Sequence, residues 1–147
     1  INNAEGFSLN VSNFRLTSEM HAYGTDVVAA LANRGYPGKQ YVIDTSRNGN
    51  GPLTEAFGPD GAPWLSAGID WCNPPGRGLG LSPRVPAGYP NCAALLYIKI
   101  IGESDGDEPG TVIQSSYFGE NGPPAGSVWP AYMQDMLDHT NMSNLSL

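Results

Sequence analysis

The residues best suited to chemistry are charged and polar side chains that follow short apolar runs. The segment DTSRNGNG (44–51) follows the apolar residues Tyr41 to Ile43. Arg47 within it could hold a carboxylate through two parallel hydrogen bonds, and Asn48 and Asn50 could bind sugar hydroxyls. A turn at Asn-Gly with a solvated arginine explains the same spacing equally well, so both interpretations stay open.

Lys99 and the carboxylates after it form a second candidate group. Lys99 lies inside the apolar run CAALLYIKIIG (92–102), where a buried ammonium needs a charged partner. Alternation along a strand puts Lys99 and Glu103 on one side, and Asp105 follows at the strand end. Clustered carboxylates disfavour one another's ionisation, whereas Lys99 and Arg47 would favour it. The pattern is typical of an acid or base site, but a solvated acidic loop fits it as well.

Trp71 opens WCNPPGRGLG (71–80), a segment rich in glycine and proline. The face of an indole can stack on the apolar C–H surface of a sugar ring, so an exposed Trp71 would be a sugar platform. The alternative is a buried tryptophan beside a disulfide. Cys72 and Cys92 lack metal-ligand spacing and suit one disulfide.

The composition of the chain argues against nucleic acids as partners and against a membrane-spanning helix. The 147 residues include seven Lys and Arg against fourteen Asp and Glu, a net charge of −7. The basic residues are scattered singly, so no nucleic-acid partner is expected. No apolar run approaches the roughly 18 residues of a membrane helix, and no cofactor or metal motif occurs.

The chain has the character of a secreted, loop-rich protein that meets a neutral substrate. Charged residues make up only 14%, while Gly and Pro number 19 and 13. Three N-x-S sequons, at Asn10, Asn141 and Asn144, fit a glycosylating secretory pathway. We therefore expect an extracellular location.

The elements that must position these residues alternate between strands and helices. Apolar alternation and helical spacing predict strands at 6–14, 41–43 and 92–102, and helices at 21–35 and 128–141. The run 92–102 is nearly continuous and predicts a strand buried on both faces. Residues 51–91 and 106–127 show no periodicity. This order predicts an α/β fold with parallel strands and long loops, in which ligands bind beyond the C-terminal strand ends.

Three segments together resemble glycoside hydrolase family 6, the family of inverting cellulases that includes endoglucanases and cellobiohydrolases. They are VIDTSRNGNG (42–51), WCNPPGRGLG (71–80) and IKIIGESDG (98–106), in that order. The family domain is a distorted seven-stranded β/α barrel of the TIM type, of roughly twice this length. The resemblance implies that residues 1–147 form the C-terminal half of such a domain, with the N-terminal half outside this sequence.

The resemblance also implies roles for individual residues. Asp105 matches the proposed catalytic base, acting directly or through a water chain, and Arg47 and Lys99 match the residues that pair with it. Lys99, Glu103 and Trp71 match residues that hold glucosyl units on the non-reducing side of the cleaved bond.

Two asparagines are weaker matches, and the family's catalytic acid has no match. Asn10 and Asn13 fall where the family has polar residues near the cleft, which would leave the Asn10 sequon unused. The acid is an Asp of the N-terminal half; here Asp44 and Asp70 are candidates by residue type alone.

The cysteines depart from the family pattern. Many members pair the Cys of the WCN segment with a Cys after GESDG, where this sequence has Asp107-Glu108-Pro109. Cys72 therefore either pairs with Cys92 in a different geometry or forms no disulfide.

The resemblance implies hydrolysis of β-1,4-glucosidic bonds in cellulose or related β-glucans with inversion, in a secreted barrel completed by the N-terminal half. Such hydrolysis needs one protonated carboxyl and one carboxylate about 6.5–9.5 Å apart. The expected partners are a glucan chain and the N-terminal half, and no cofactor is expected. The alternatives are a non-catalytic β-glucan-binding protein that keeps the sugar platform, or a structural protein with a relict fold. Endo and exo action stay open.

Overall fold

The computed structural model describes residues 3–106 and 111–146. The elements in chain order are β1 (Gly6–Leu9), α1 (Thr17–Asn33), β2 (Gln40–Asp44), α2 (Ala62–Ala67), β3 (Cys92–Leu96), α3 (Thr111–Phe118) and α4 (Pro130–Asp138). Short 3-10 helices occupy Glu55–Phe57 and Met142–Leu145. No helix among the described residues is long and apolar enough to cross a membrane. Residues 107–110 of the predicted acidic loop lie outside the described residues.

The three strands form one parallel sheet in the order β1–β2–β3. Gly6 pairs with Gln40 at the start of β1 and β2, and Tyr41 pairs with Cys92 at the start of β3. Parallel neighbours require a long crossover connection, and α1 provides it between β1 and β2. The predicted α/β class with parallel strands is confirmed.

Strand β1 is shorter than the predicted 6–14. It ends at Leu9 because Asn10 and Ser12 adopt φ values of 63° and 60°, a left-handed conformation that extended backbone does not have. The polar groups that follow the strand therefore belong to a tight turn and not to the strand itself.

Strand β3 also ends early, and the prediction of a strand over 92–102 buried on both faces is wrong. The chain leaves the sheet after Leu96, because the N–H groups of Ile98 and Lys99 donate to the side chain of Asp44 at 3.2 and 3.0 Å. Lys99 therefore lies in a loop beyond the strand. A local hydrogen-bond acceptor, which apolar periodicity does not reveal, ends the strand.

Helix α1 covers one face of the sheet. It begins at Thr17, where the Glu19 carboxylate accepts the N–H of Leu16 at 3.3 Å, and so starts earlier than the predicted 21. Gly24 of this helix is buried against the ring of Tyr41 in β2. A Cβ at this position would lie only 2.7 Å from that ring. The close approach of α1 to the sheet therefore depends on this glycine. The core under α1 comprises Tyr41, Ile43, Cys92 and Leu95.

Two further hydrophobic clusters lie outside the sheet core. One is built from Leu53, Trp64, Ile69 and Cys72, and the other from Leu79, Trp129, Tyr132 and Met136. Helices α2 and α3 lie in segments where the sequence shows no periodicity, because six and eight residues are too few to establish it. Helix α4 matches the predicted closing helix.

The two cysteines are not joined to each other by a disulfide. Cys92 packs under α1 in the sheet core, whereas Cys72 packs beside Trp64 in a different cluster. Of the two alternatives, the pairing of Cys72 with Cys92 is therefore wrong, because each side chain is buried against different partners.

The face of the sheet opposite α1 is open. Alternation puts Ser8, Val42 and Ala94 on it, and a groove of about 440 Å³ runs across the start of all three strands. Parallel sheets normally have both faces covered. Among the described residues no strand pairs with the outer edge of β1, so this edge also presents unpaired backbone groups.

We expect the purified 147-residue chain, without any other polypeptide, to self-associate through this open face and edge. In sedimentation velocity it should run as dimers or larger species. Val42→Lys, on the open face, should shift the distribution towards monomer, because a lysine there resists apolar contact. The matched Val112→Lys lies on α3 at a side chain that is 77% exposed, and it should leave the distribution unchanged. A folded, monodisperse monomer would contradict the prediction.

Candidate active site

The site forms beyond the ends of β2 and β3, and the buried carboxylate of Asp44 organises it. Oδ1 accepts the N–H groups of Ser46 at 2.9 Å and Ile98 at 3.2 Å. Oδ2 accepts those of Lys99 at 3.0 Å and Ser12 at 3.4 Å. Because its carboxylate accepts hydrogen bonds from four backbone N–H groups, Asp44 holds the surrounding loops together. Such a carboxylate does not fit the role of proton donor.

Arg47 lies in the loop after β2, and its side chain is fully buried. Its Nη1 donates to Oδ2 of Asp105 at 2.7 Å and its Nη2 to the carbonyl of Ser12 at 2.8 Å. The guanidinium therefore divides its donors between two partners, and the predicted bidentate pair is wrong. The guanidinium also lies 4.6 Å from the ring centroid of Phe14. Burial disfavours the charged form, but the oxygens of Tyr132 and Asp105 outweigh it and raise the pKa of Arg47 above its ordinary value.

Lys99 approaches the same carboxylate from the other side. Its Nζ lies 3.3 Å from Oδ1 of Asp105 and 2.6 Å from Oε1 of Glu103. The Asp105 side chain is 9% exposed, so it is nearly buried yet reachable by solvent. The structure thus brings Arg47, Lys99 and Asp105 into one charge cluster with Glu103 at its rim. Asp44, through the N–H of Lys99, holds the loop that brings Lys99 to this place.

Asn73 belongs to the same cluster, and residue-by-residue reasoning missed it. It is fully buried, its Oδ1 accepts the N–H of Asp105 at 2.6 Å, and its Nδ2 donates to the carbonyl of Glu103 at 3.1 Å. Its own N–H lies 3.2 Å from Oδ2 of Asp105. The φ of 42° at Asn73 is a left-handed value that asparagine tolerates better than most residues. The only signal in the sequence was its place in the WCN segment.

Trp71 is 50% exposed, two residues before Asn73. The alternative of a buried tryptophan beside a disulfide is therefore wrong. The buried indole of this region is that of Trp64, whose Nε1 donates to the carbonyl of Cys72 at 3.0 Å. An exposed indole this close in sequence to the residue that anchors Asp105 can offer its face to a ligand.

Asn10 and Asn13 bind the protein's own backbone. Nδ2 of Asn10 donates to the carbonyls of Asp44 at 3.0 Å and Arg15 at 3.1 Å, and its Oδ1 accepts the N–H of Arg15. Oδ1 of Asn13 accepts the N–H of Phe14 at 2.8 Å. Asn10 therefore has no amide hydrogen left for a sugar, and it fixes the turn beside the cluster.

A second buried network supports the loop that carries Asn73. Oδ2 of Asp135 accepts the N–H of Gly76 at 2.7 Å, and Oδ1 accepts the hydroxyl of Tyr117 at 3.0 Å. Burial and the neighbouring Asp135 raise the pKa of Tyr117 above its ordinary value, so its hydroxyl stays a donor. Arg77 is buried in the same loop, where burial lowers its pKa.

The described residues contain no group of three or more His, Cys, Asp or Glu side chains that could hold a metal ion. The chemistry available to the cluster is that of one carboxylate between two cations, with an exposed indole nearby.

Comparison with known proteins relates this chain to enzymes. Residues 1–140 match the model of the glycosyl hydrolases family 6. The chain is 38% identical over 133 residues to endoglucanase A of Cellulomonas fimi, which covers 90% of this chain and 23% of that protein. Other relatives are named endoglucanase or probable cellobiohydrolase. The chain spans about a quarter of the length of these relatives.

Solved structures agree in fold. A family 6 enzyme of Orpinomyces sp. Y102 superposes with a TM-score of 0.76 at 30% identity, over 95% of this chain and 40% of that one. The endoglucanase Cel6 of Mycobacterium tuberculosis, in complex with methyl-cellobiosyl-4-deoxy-4-thio-beta-D-cellobioside, gives a TM-score of 0.65 at 40% identity, over 92% of this chain and 38% of that one.

We expect Asn73→Ala to lower the free energy of unfolding by about 2–4 kcal/mol, because it leaves partly buried backbone groups of Glu103 and Asp105 without their Asn73 partner. Urea unfolding followed by tryptophan fluorescence measures the change. The control is Asn13→Ala, whose side chain is exposed and makes one local bond, with an expected effect within about 0.5 kcal/mol. Equal losses in the two variants would show that Asn73 does not anchor the loop.

Proposed function

This chain belongs to family 6 of the glycosyl hydrolases, and we propose that it is the C-terminal half of a catalytic domain that hydrolyses β-1,4-glucosidic bonds in cellulose or related β-glucans with inversion. The observation that carries the proposal is the single carboxylate of Asp105 held between Arg47 and Lys99 at the C-terminal ends of parallel strands. Ligand sites of parallel α/β folds lie beyond these strand ends.

In the proposed mechanism Asp105 acts as the base. Its carboxylate takes a proton from a water molecule, directly or through a second water, while the water oxygen bonds to the anomeric carbon. The glycosidic C–O bond breaks on the opposite face of the ring, and a protonated carboxyl donates its proton to the leaving oxygen. Attack from the opposite face inverts the anomeric configuration.

The contacts of Asp105 suit a base. Each carboxylate oxygen lies beside a cation, Oδ2 at 2.7 Å from Arg47 and Oδ1 at 3.3 Å from Lys99, so both oxygens are held in fixed positions. The N–H of Asn73 also points at Oδ2. The side chain retains 9% exposure, which gives a water molecule access to it.

The substrate would lie along the rim of the cluster. We assign Trp71, Lys99 and Glu103 to glucosyl units on the non-reducing side of the cleaved bond, following the family pattern. The half-exposed indole of Trp71 supports this, because a pyranose ring can stack on its face. The pairing of Lys99 with Glu103 at 2.6 Å supports it as well, because it fixes two hydrogen-bonding side chains for sugar hydroxyls.

The acid would come from an N-terminal half that packs on the open face of the sheet. The four N–H donors around Asp44 argue against it as the acid, and Asp70 is exposed. The open face and the unpaired edge of β1 are the surfaces that such a half would cover, closing the strands into a barrel. We further propose that the protein is secreted, as suits an enzyme acting on an insoluble polymer.

The test is an activity assay on the natively purified protein together with any companion chain, which intact mass under denaturing conditions would reveal. We expect release of reducing ends from soluble cellulose, with the α-anomer as the first product by NMR. Asp105→Asn should lower kcat at least about 100-fold, because the base is lost, while KM changes by less than about threefold.

The control for Asp105→Asn is Asp26→Asn, which removes an equal charge at an exposed position of α1 and should keep full activity. Circular dichroism checks that both variants fold, because the substitution leaves Arg47 without its carboxylate partner. A folded Asp105→Asn variant with unchanged kcat would show that Asp105 takes no part in the reaction.

We expect Trp71→Ala to weaken binding of cello-oligosaccharides by roughly 1–3 kcal/mol, a scale taken from stacking of bases on aromatic side chains. Calorimetric titration measures it. Tyr23→Ala removes a similarly exposed aromatic on α1 and should leave the affinity unchanged. Equal affinities of the folded Trp71→Ala variant and the unaltered protein would show that Trp71 is not a sugar platform.

The second candidate is a non-catalytic β-glucan-binding protein. The observation that favours it is the lack, among the described residues, of a carboxyl free to act as acid beside Asp105. Binding of cello-oligosaccharide that depends on Trp71, without release of reducing ends from any form of the protein, would select this candidate.

A further inference from the structure

The three sequons of the chain differ in what their asparagine side chains do in the fold. An asparagine-linked glycan is attached to Nδ2 and must project into solvent. We propose that Asn141 is the glycosylation site of this protein and that Asn10 and Asn144 stay unmodified. The proposal rests on the proposed secretion and does not depend on the glucanase function.

Asn10 has no amide hydrogen to spare. Both hydrogens of Nδ2 are used, one on the carbonyl of Asp44 and one on that of Arg15. A glycan replaces one of them, so it would break a bond that holds the turn after β1.

Asn144 is held on both its side chain and its backbone. Nδ2 donates to the carbonyl of Leu79 at 3.1 Å, which directs the amide nitrogen towards the protein. Its carbonyl accepts the N–H of Ser82 at 2.8 Å and Nη2 of Arg84 at 3.0 Å, and the residue is only partly exposed. Because its amide is held against Leu79 and the residue is only partly exposed, a glycan on Nδ2 would have to fit against the protein surface.

Asn141 is exposed and lies just after α4, at the start of the 3-10 helix Met142–Leu145. Its Oδ1 accepts the N–H of Ser143 at 3.0 Å and the hydroxyl of Ser143 at 2.8 Å. Nδ2 donates to no residue in the part of the chain that the structure describes. The sequon therefore presents an unhindered nitrogen, with the serine hydroxyl bonded to the oxygen of the same amide.

The reaction needs a polyprenyl-diphosphate-linked oligosaccharide as the donor. The anomeric carbon forms a C–N bond to Nδ2 of Asn141, and its C–O bond to the diphosphate breaks. Nδ2 loses one proton to a base of the transferase, and the polyprenyl diphosphate leaves with the electron pair. No oxidation or reduction takes place.

The experiment compares serine variants secreted by yeast, with each sequon peptide examined by mass spectrometry before and after enzymatic deglycosylation. We expect the glycan at Asn141 alone. Ser143→Ala should abolish it and Ser143→Thr should retain it, because threonine keeps the hydroxyl. Ser12→Ala and Ser146→Ala, which remove the other two sequons, should leave it unchanged.

A glycan at Asn10 or Asn144 of the secreted protein would overturn the proposal, and so would secreted protein without a glycan at Asn141. Variants retained inside the cells are analysed in the same way from extracts. Retained protein with no glycan on any sequon counts against the proposal, whereas a glycan confined to Asn141 supports it.

Discussion

The burial of one carboxylate, that of Asp44, is the constraint on which the rest of the site depends. A buried charge is tolerated only when its hydrogen-bonding capacity is filled, and Asp44 fills it with N–H groups from three separate stretches of the chain. The turn after β1 and the loop after β3 are thereby fixed relative to the central strand. Arg47 and Lys99 reach Asp105 because the loops that carry them are anchored at Asp44 or beside it.

The charges of the site stabilise one another, so each depends on its partners. Arg47 is fully buried and Asp105 nearly so, and neither would be stable there alone, since removing one member of a buried pair leaves an uncompensated charge. Lys99 shares its ammonium between Asp105 and Glu103. Asn73 holds the backbone of both acidic residues. Such a network holds Asp105 in place before any substrate binds, as catalysis by a positioned group requires.

The sequence predicted the parallel α/β order and the charge cluster, but not why the cluster forms. Lys99 was expected in a strand because residues 92–102 are apolar, whereas the strand ends at Leu96 when the backbone turns towards Asp44. A pattern of apolar residues indicates burial, but it does not reveal that a single hydrogen-bond acceptor ends the strand. Whether Cys72 pairs with Cys92 stayed open in the sequence for a related reason, since spacing does not reveal which core each side chain joins.

The proposed reaction needs a base and an acid, and in this fold the two would be supplied by different halves of the barrel. Arg47, Lys99 and Asn73, which hold Asp105, belong to this chain, so the base would be formed before the barrel is closed. The acid must then lie about 6.5–9.5 Å from it, a distance that packing on the open sheet face would set. The interface between the halves would therefore fix the geometry of catalysis as well as cover apolar surface. A substitution on that face, far from Asp105, would then alter turnover by moving the acid while the base stayed in place.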